Sequence, residues 1–328
     1  MDWNDCSGSR ACVNDDERDW LMRTSCLINN YNYAKYVAEA IDSALDQTVP
    51  FDEIVVVDDG STDDSLRIIQ ERFGSNPRVK IIAKANQGQL SSFNEGFLAS
   101  SGEIVFFLDA DDVYEKDYLE RALAFYDRHG RCDFLFCAMT EFGKRHGMQR
   151  SYSADRQLGF TIVLTLFLRK WLGSPTSAIS MRRSLLEKVL PMPSAFLSDW
   201  RICADDCLVW GASLAGAYKC YCDTPLVRYR VHGENRYADR KFAHQDKYKK
   251  AVAVNRLFAY LKDRFGCADA KVFHELAKAE FRTIPDPTLE DFQDYARIIT
   301  MSDAPFLKKW KARMSVWRSY KTKNRKYQ

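Results

Sequence analysis

Two kinds of hydrophobic pattern alternate between residues 24 and 109. Short runs each carry an unbroken apolar stretch of three to five residues: 24–29 (TSCLIN), 53–58 (EIVVVD), 79–83 (VKIIA) and 103–109 (EIVFFLD). Between them, apolar residues recur at every third or fourth position. Tyr36, Val37, Ala40, Ile41 and Ala44 do so within 33–47, and segments 63–73 and 90–100 repeat the spacing. The runs predict strands buried on both faces, and the intervening segments predict amphipathic helices. Ser61 or Thr62 is placed to cap the helix over 63–73. Such alternation folds as a mostly parallel sheet with helices on both faces, and its ligand lies beyond the carboxyl ends of the strands.

Residues 141–235 are less regular, with Gly, Pro and Ser clustered at 173–177 and 191–194. They are expected to complete the same domain and to supply a second substrate's wall. From residue 236 the chain is helical and charged, with helices predicted over 248–265, 270–281, 289–299 and 306–320. The first 20 residues lack apolar periodicity. The expected organisation is an N-terminal arm (1–22), one α/β domain (23–235) and a helical C-terminal region (236–328). No internal repeat or low-complexity tract interrupts it.

Composition narrows the picture. A chain of 328 residues that is 46% hydrophobic can bury a sizeable core. A net charge of +3 is too small for a nucleic-acid partner, but the ends differ in sign. Residues 1–20 hold six acids against two arginines, whereas the last 23 residues hold nine Lys/Arg and no acid. The longest apolar run, 160–168 (FTIVLTLFL), is about half of the roughly 20 residues that span a bilayer and reads as a buried helix. The acidic start has no apolar signal segment, so the ten cysteines read as reduced thiols in a cytoplasmic protein. The Cys203/Cys207 and Cys220/Cys222 spacings match no zinc finger. Within 306–320, Leu307, Trp310, Met314 and Trp317 form one apolar stripe among Lys and Arg. That stripe either lies in an anionic membrane surface, making the protein peripheral on the inner face, or docks on the protein's own core.

The candidate chemistry is acidic. Asp58 and Asp59 end one strand, and Asp109, Asp111 and Asp112 end another, so five carboxylates converge on one sheet edge. Their repulsion needs an offset, and a divalent cation, Mg²⁺ or Mn²⁺, bridging a diphosphate supplies one. A plain turn that caps the next helix equally accounts for Gly60, Ser61 and Thr62.

Five segments carry a specific resemblance: Asn29-Asn30-Tyr31-Asn32, VVVDDGSTDDS at 55–65, NQGQLSSFNEGF at 86–97, GEIVFFLDADD at 102–112 and YRVHGEN at 229–235. In order and spacing the chain resembles family 2 inverting glycosyltransferases of the GT-A fold, a Rossmann-like sheet, over residues 23–235. One departure is visible: Asn29-Asn30 stands where the family usually has Pro-Thr or Pro-Ser. The resemblance implies a metal-dependent, hexosyltransferase-like enzyme of polysaccharide or glycolipid synthesis. Its implied partners are a nucleotide-sugar donor, UDP-linked, and a saccharide or lipid-linked acceptor. Asn29 and Tyr31 would flank the base, Asp59 would accept from its imide, and Lys84 and Asn86 would line the rim. Asp109 and Asp111 would meet ribose and metal, Asp112 would add a metal ligand, and His232 would reach the metal or the diphosphate.

Inverting transfer needs a carboxylate to take the acceptor's proton. In the family that base is the second acid of a pair at a helix start, which implies Asp206, after Asp205, with Asp199 as the alternative. Segment 173–177 is expected to wall the acceptor side. A phospho-receiver domain would use an acidic pair and a later aspartate but leaves Asp205-Asp206 and YRVHGEN unexplained. A non-catalytic nucleotide-sugar binder is the other reading.

Overall fold

The computed structural model describes residues 22–233, 243–267 and 273–324. The arm read over residues 1–22 lies outside them except for Met22, as do Glu234 and Asn235 of YRVHGEN. The apolar runs form strands β1 (Thr24–Asn30), β2 (Glu53–Asp58), β3 (Val79–Ala83) and β4 (Ile104–Asp109). They pair in parallel in the order β3-β2-β1-β4 and are linked by helices α1 (Val37–Leu45), α2 (Ser65–Phe73) and α3 (Gln89–Ala99). Side chains alternate across a strand. Cys26, Ile28, Val56 and Phe106 therefore join Val37 and Ile41 in one core layer. Leu27, Val57, Val105 and Phe107 join Leu90 and Phe93 in the other.

Two starts differ from the sequence expectation. Residues 33–36 form a turn, with the Tyr36 and Val37 amides donating to the Tyr33 carbonyl, so α1 begins late. Asp64 holds the N-cap position of α2, and neither Ser61 nor Thr62 caps it. Ser61 is held elsewhere: its Oγ donates to Asp58 Oδ2 (2.7 Å) and accepts from the Asn32 amide (2.9 Å).

The second half follows as β5 (Val113–Tyr114), α4 (Tyr118–Arg128), β6 (Phe134–Gly143), β7 (Gly147–Gln149), β8 (Arg156–Phe160) and α5 (Ile162–Leu168). Then come β9 (Ile179–Arg182), α6 (Arg183–Val189), α7 (Asp205–Leu214) and β10 (Tyr218–Val231). They extend the sheet as β4-β9-β6-β10-β5, with β7 on β6 and β8 on β10. β9 runs antiparallel to both β4 and β6, so the complete sheet is mixed. β1 sits between β2 and β4, the switch point where open α/β sheets take their ligands.

Helices α8 (His244–Arg264), α9 (Phe273–Arg282), α10 (Leu289–Met301) and α11 (Phe306–Asn324) complete the described chain. α9 and α10 pack on α5, the buried helix of run 160–168, and α8 packs on α7. Buried Glu280 fastens this junction, accepting from the Val163 amide (3.0 Å) and from the Tyr295 hydroxyl (2.9 Å). α11 turns Ala312 and Val316 inward, where small side chains allow close approach to α9 and α10. Leu307, Trp310 and Trp317 remain 67%, 53% and 42% exposed. The stripe therefore does not dock on the core; the opposite face of the helix does. Among the described residues no helix is long and apolar enough to cross a membrane.

Candidate active site

Strand register sets the first contacts. Asn29 lies beside Asp109 and Asn30 beside Asp58, and each amide donates to its neighbour's carboxylate, at 2.9 and 2.7 Å. Two neutral donors thus separate two acidic strand ends, which gives the unusual Asn29-Asn30 pair a physical reason.

The five sequence-read carboxylates divide by role. Asp58 folds the turn, accepting from the Ser61 amide and hydroxyl as well as from Asn30, and does not line the cleft. Asp59 accepts from the amides of Gln87 (2.9 Å) and Gly88 (2.7 Å) and pairs with Lys84. Lys84 is accordingly a mostly buried partner of Asp59, whereas Asn86 lines the cleft and accepts from Arg201. Gly60, at φ +71°, permits this: a Cβ there would meet the Asn86 amide nitrogen at 2.8 Å.

Oxygens of Asp109, Asp111 and Asp112 lie within 4.8 Å of one another, the one group of three ligating side chains among the described residues. Among the described residues no cysteine group joins it. Burial, then the Asp111 charge, pushes the Asp109 carboxyl up to about 7. Burial, then Asp111 and Asp109, pushes Asp112 well above the usual carboxylate range. A divalent cation would reverse that penalty, and an all-oxygen acidic set fits Mg²⁺ or Mn²⁺. Asp112 is braced from within: one oxygen accepts from Ser177 Oγ (2.6 Å), the other from the Arg230 amide (2.8 Å). Asp111 Oδ2 is 3.0 Å from His232 Nε2, and Arg230 Nε donates to the Asp111 carbonyl (2.8 Å). Asp109 and Asp111 line the cleft; Lys84, Asp112 and His232 are not among its lining residues.

The cleft has a volume of about 870 Å³. Asn29, Tyr31, Asp59 and Asn86 line it from the first half of the chain, while Trp171, Gly173, Pro175, Thr176, Asp205 and Asp206 come from the second half. Asp205 and Asp206 open α7 behind Ala204, which holds the N-cap position. Neither acid makes a side-chain cap; Asp205 Oδ1 instead accepts from the Asp206 amide (3.2 Å). Burial, then Asp206 and Asp109, pushes Asp205 up to about 7. Burial also raises Asp206, against the opposing pull of Lys250, whose Nζ is 2.7 Å away. Asp199 pairs with Arg256 (2.8 Å) and does not line the cleft.

Three residues that sequence reasoning missed tie these parts together. Gln89 Nε2 donates to Asp109 Oδ1 and its Oε1 accepts from the Ala204 amide, both at 2.9 Å, so one side chain joins the acidic strand end to the start of α7. Its only signal is its place inside NQGQLSSFNEGF. Arg230, beside His232, has its guanidinium over Tyr36 (4.7 Å) and Phe142 (4.3 Å). Lys250 had no signal, since nothing local distinguishes it from other lysines of α8.

A sheet of this order, with an Asp-x-Asp pair at its switch point and a second acidic pair across the same cleft, defines a GT-A fold. The chain belongs to glycosyl transferase family 2, whose model matches residues 25–190. It is therefore a glycosyltransferase. It is 35% identical over 246 residues to an uncharacterised glycosyltransferase of Nostoc sp., covering 74% of this chain and 75% of that one. It is 41% identical over 99 residues to chondroitin synthase of Escherichia coli, 30% of this chain but only 14% of that much longer protein. The crystal structure of Staphylococcus aureus TarS 1-349 with UDP superposes with a TM-score of 0.53 at 25% identity, covering 93% of this chain and 91% of that one.

Proposed function

We propose that the protein transfers a sugar from a uridine diphosphate donor to an acceptor hydroxyl with inversion, in the assembly of a polysaccharide or glycolipid. The observation that carries this reading is the joining of Asp109 to the start of α7 through Gln89, within one cleft. Support comes also from the S. aureus TarS structure, whose bound nucleotide is UDP. Asn29 and Tyr31 flank the base, Asp59 positions the 87–88 amides around it, and Asn86 closes the rim. Asp109 and Asp111 would hold the cation, with Asp112, His232 and Arg230 fixing their geometry. A bound divalent ion supplies charge stabilisation for the leaving diphosphate.

Asp206 takes the proton of the acceptor hydroxyl as its oxygen bonds to the anomeric carbon and the bond to the diphosphate breaks. Trp171 and the 173–176 segment form the acceptor wall and exclude water. The test is incubation with UDP-sugars, with and without Mn²⁺, following UDP release and product configuration by NMR. Metal-dependent UDP release that is abolished in Asp111→Asn, with an inverted product, is the expected result. Retained configuration, or equal turnover in EDTA, would overturn it.

A further inference from the structure

α11 carries a surface that sugar transfer does not use. Its packed face consists of Ala312 and Val316; its outward face presents Phe306, Leu307, Trp310 and Trp317. The helix holds seven Lys/Arg and no Asp or Glu. Among the described residues, none of Lys308, Lys311, Arg313 and Arg318 has an acidic partner within 4.0 Å. Beside Trp310 and Met314 runs a groove between α11 and the end of α9, lined by Arg282, Lys311, Ser315, Arg318, Ser319 and Thr322. Arg282 is already turned into it, its guanidinium donating to Ser315 Oγ (3.0 Å).

We propose that this face of α11 seats on an anionic lipid bilayer, with Leu307, Trp310 and Trp317 entering the interface and the groove receiving lipid phosphates. Charge complementarity selects this occupant. Tryptophan places an apolar ring and one N–H donor at the level where headgroups meet acyl chains. The flanking Lys and Arg then face the phosphates, the arrangement of an interfacial helix. Arg282, Lys311 and Arg318 line this groove with the Ser315 and Ser319 hydroxyls, donors suited to phosphate oxygens, while the Thr322 hydroxyl donates to the Arg318 carbonyl (2.9 Å). A second copy of the same face would instead bring one cationic helix against another. A purely apolar partner would leave the cations without counter-charge. The proposal does not depend on which donor the cleft takes.

Co-sedimentation of the full chain with phosphatidylglycerol-containing and pure phosphatidylcholine vesicles tests it. Binding to the anionic vesicles alone is expected. It should weaken from 0.1 to 1 M salt, as the screening length falls from about 10 to 3 Å. Lys311→Gln with Arg318→Gln should lower partitioning about 25-fold, at about fivefold per charge. Trp310→Ala with Trp317→Ala should weaken binding at low and high salt alike. Both double variants should keep the wild-type melting temperature and donor hydrolysis, which separates this proposal from the reading of the cleft. Equal binding to neutral vesicles, no binding, or binding indifferent to both variants overturns it. So does inorganic phosphate binding in the groove without vesicle binding. A concentration-dependent dimer that Trp310→Ala with Trp317→Ala abolishes, again without vesicle binding, would assign the face to a second copy and overturn it as well.

Discussion

Lys250 Nζ lies 2.7 Å from Asp206 Oδ2 and 4.0 Å from the centre of the Trp200 ring. Burial raises the proton affinity of Asp206, and the ammonium restrains the rise. A base must be ionised to work, so with Asp206 as the proposed base this pair is expected to set the lower pH limit of turnover. Lys250→Met should move the acidic limb of the kcat–pH profile to higher pH and spare activity on the alkaline side. Asp206→Asn should lower kcat by about 10²–10⁴-fold. Donor affinity should stay near wild type, because the carboxylate meets the acceptor's proton only as the bond forms. Full activity in Asp206→Asn with loss in Asp199→Asn would move the role to Asp199.

Gln89 offers a test of the connection between the two halves of the cleft. Gln89→Ala leaves the buried Ala204 amide without its acceptor, which costs about 1–3 kcal/mol. Denaturant unfolding should show that loss. Because Asp109 and the start of α7 also lose their common partner, kcat should fall by more than KM rises. An unchanged kcat in the destabilised variant would confine Gln89 to holding the fold.

Base recognition is checked by calorimetry. UDP should bind more tightly than ADP or GDP, and Asp59→Ala should flatten the preference, since the Gln87 and Gly88 amides and Lys84 all lose their anchor. GDP as the tightest ligand would show the base pocket to lie elsewhere.

Glu280 makes stability depend on pH. Burial raises its carboxyl from 4.5 to about 7, above its value in the unfolded chain. Its contribution is therefore fully present below about 4.5 and is lost as pH rises through about 7. Between those limits the loss is on the order of 3 kcal/mol at most. Over pH 5 to 8, wild type should lose more melting temperature than Glu280→Gln. Parallel curves for the two would show that Glu280 stays ionised throughout.

Much of the fold was legible because its signals are local. β1, β2 and β4 are largely buried, whereas β3, at the sheet edge, is only half-buried; each still carries a continuous apolar stretch, and the Asp109–Asp112 cluster follows directly from where β4 stops. Helix starts were less legible, because Tyr33–Tyr36 and Ser61 are diverted by contacts with the turn and with Asp58. The antiparallel insertion of β9 had no local pattern, so the mixed sheet was not foreseen beyond its parallel half. Within the site, Asp59 and Asp111 could be read from motifs, but the partners that set their geometry and charge could not. Gln89, Arg230 and Lys250 act across the sequence, and pairing at that range leaves no periodicity. α11 shows the converse problem: its stripe was visible, but only packing could tell which face Ala312 and Val316 would claim.

α8 carries both Lys250 and Arg256, and through them it holds the two candidate acids Asp206 and Asp199. The helix lies beyond the 25–190 stretch by which the family is recognised. On the proposed assignment, nucleotide recognition and proton removal would be encoded in separate stretches of chain, free to change at different rates. Substitutions along α8, which lends Lys250 and Val254 to the cleft, would then retune the working pH and the acceptor side while the donor half stays as it is.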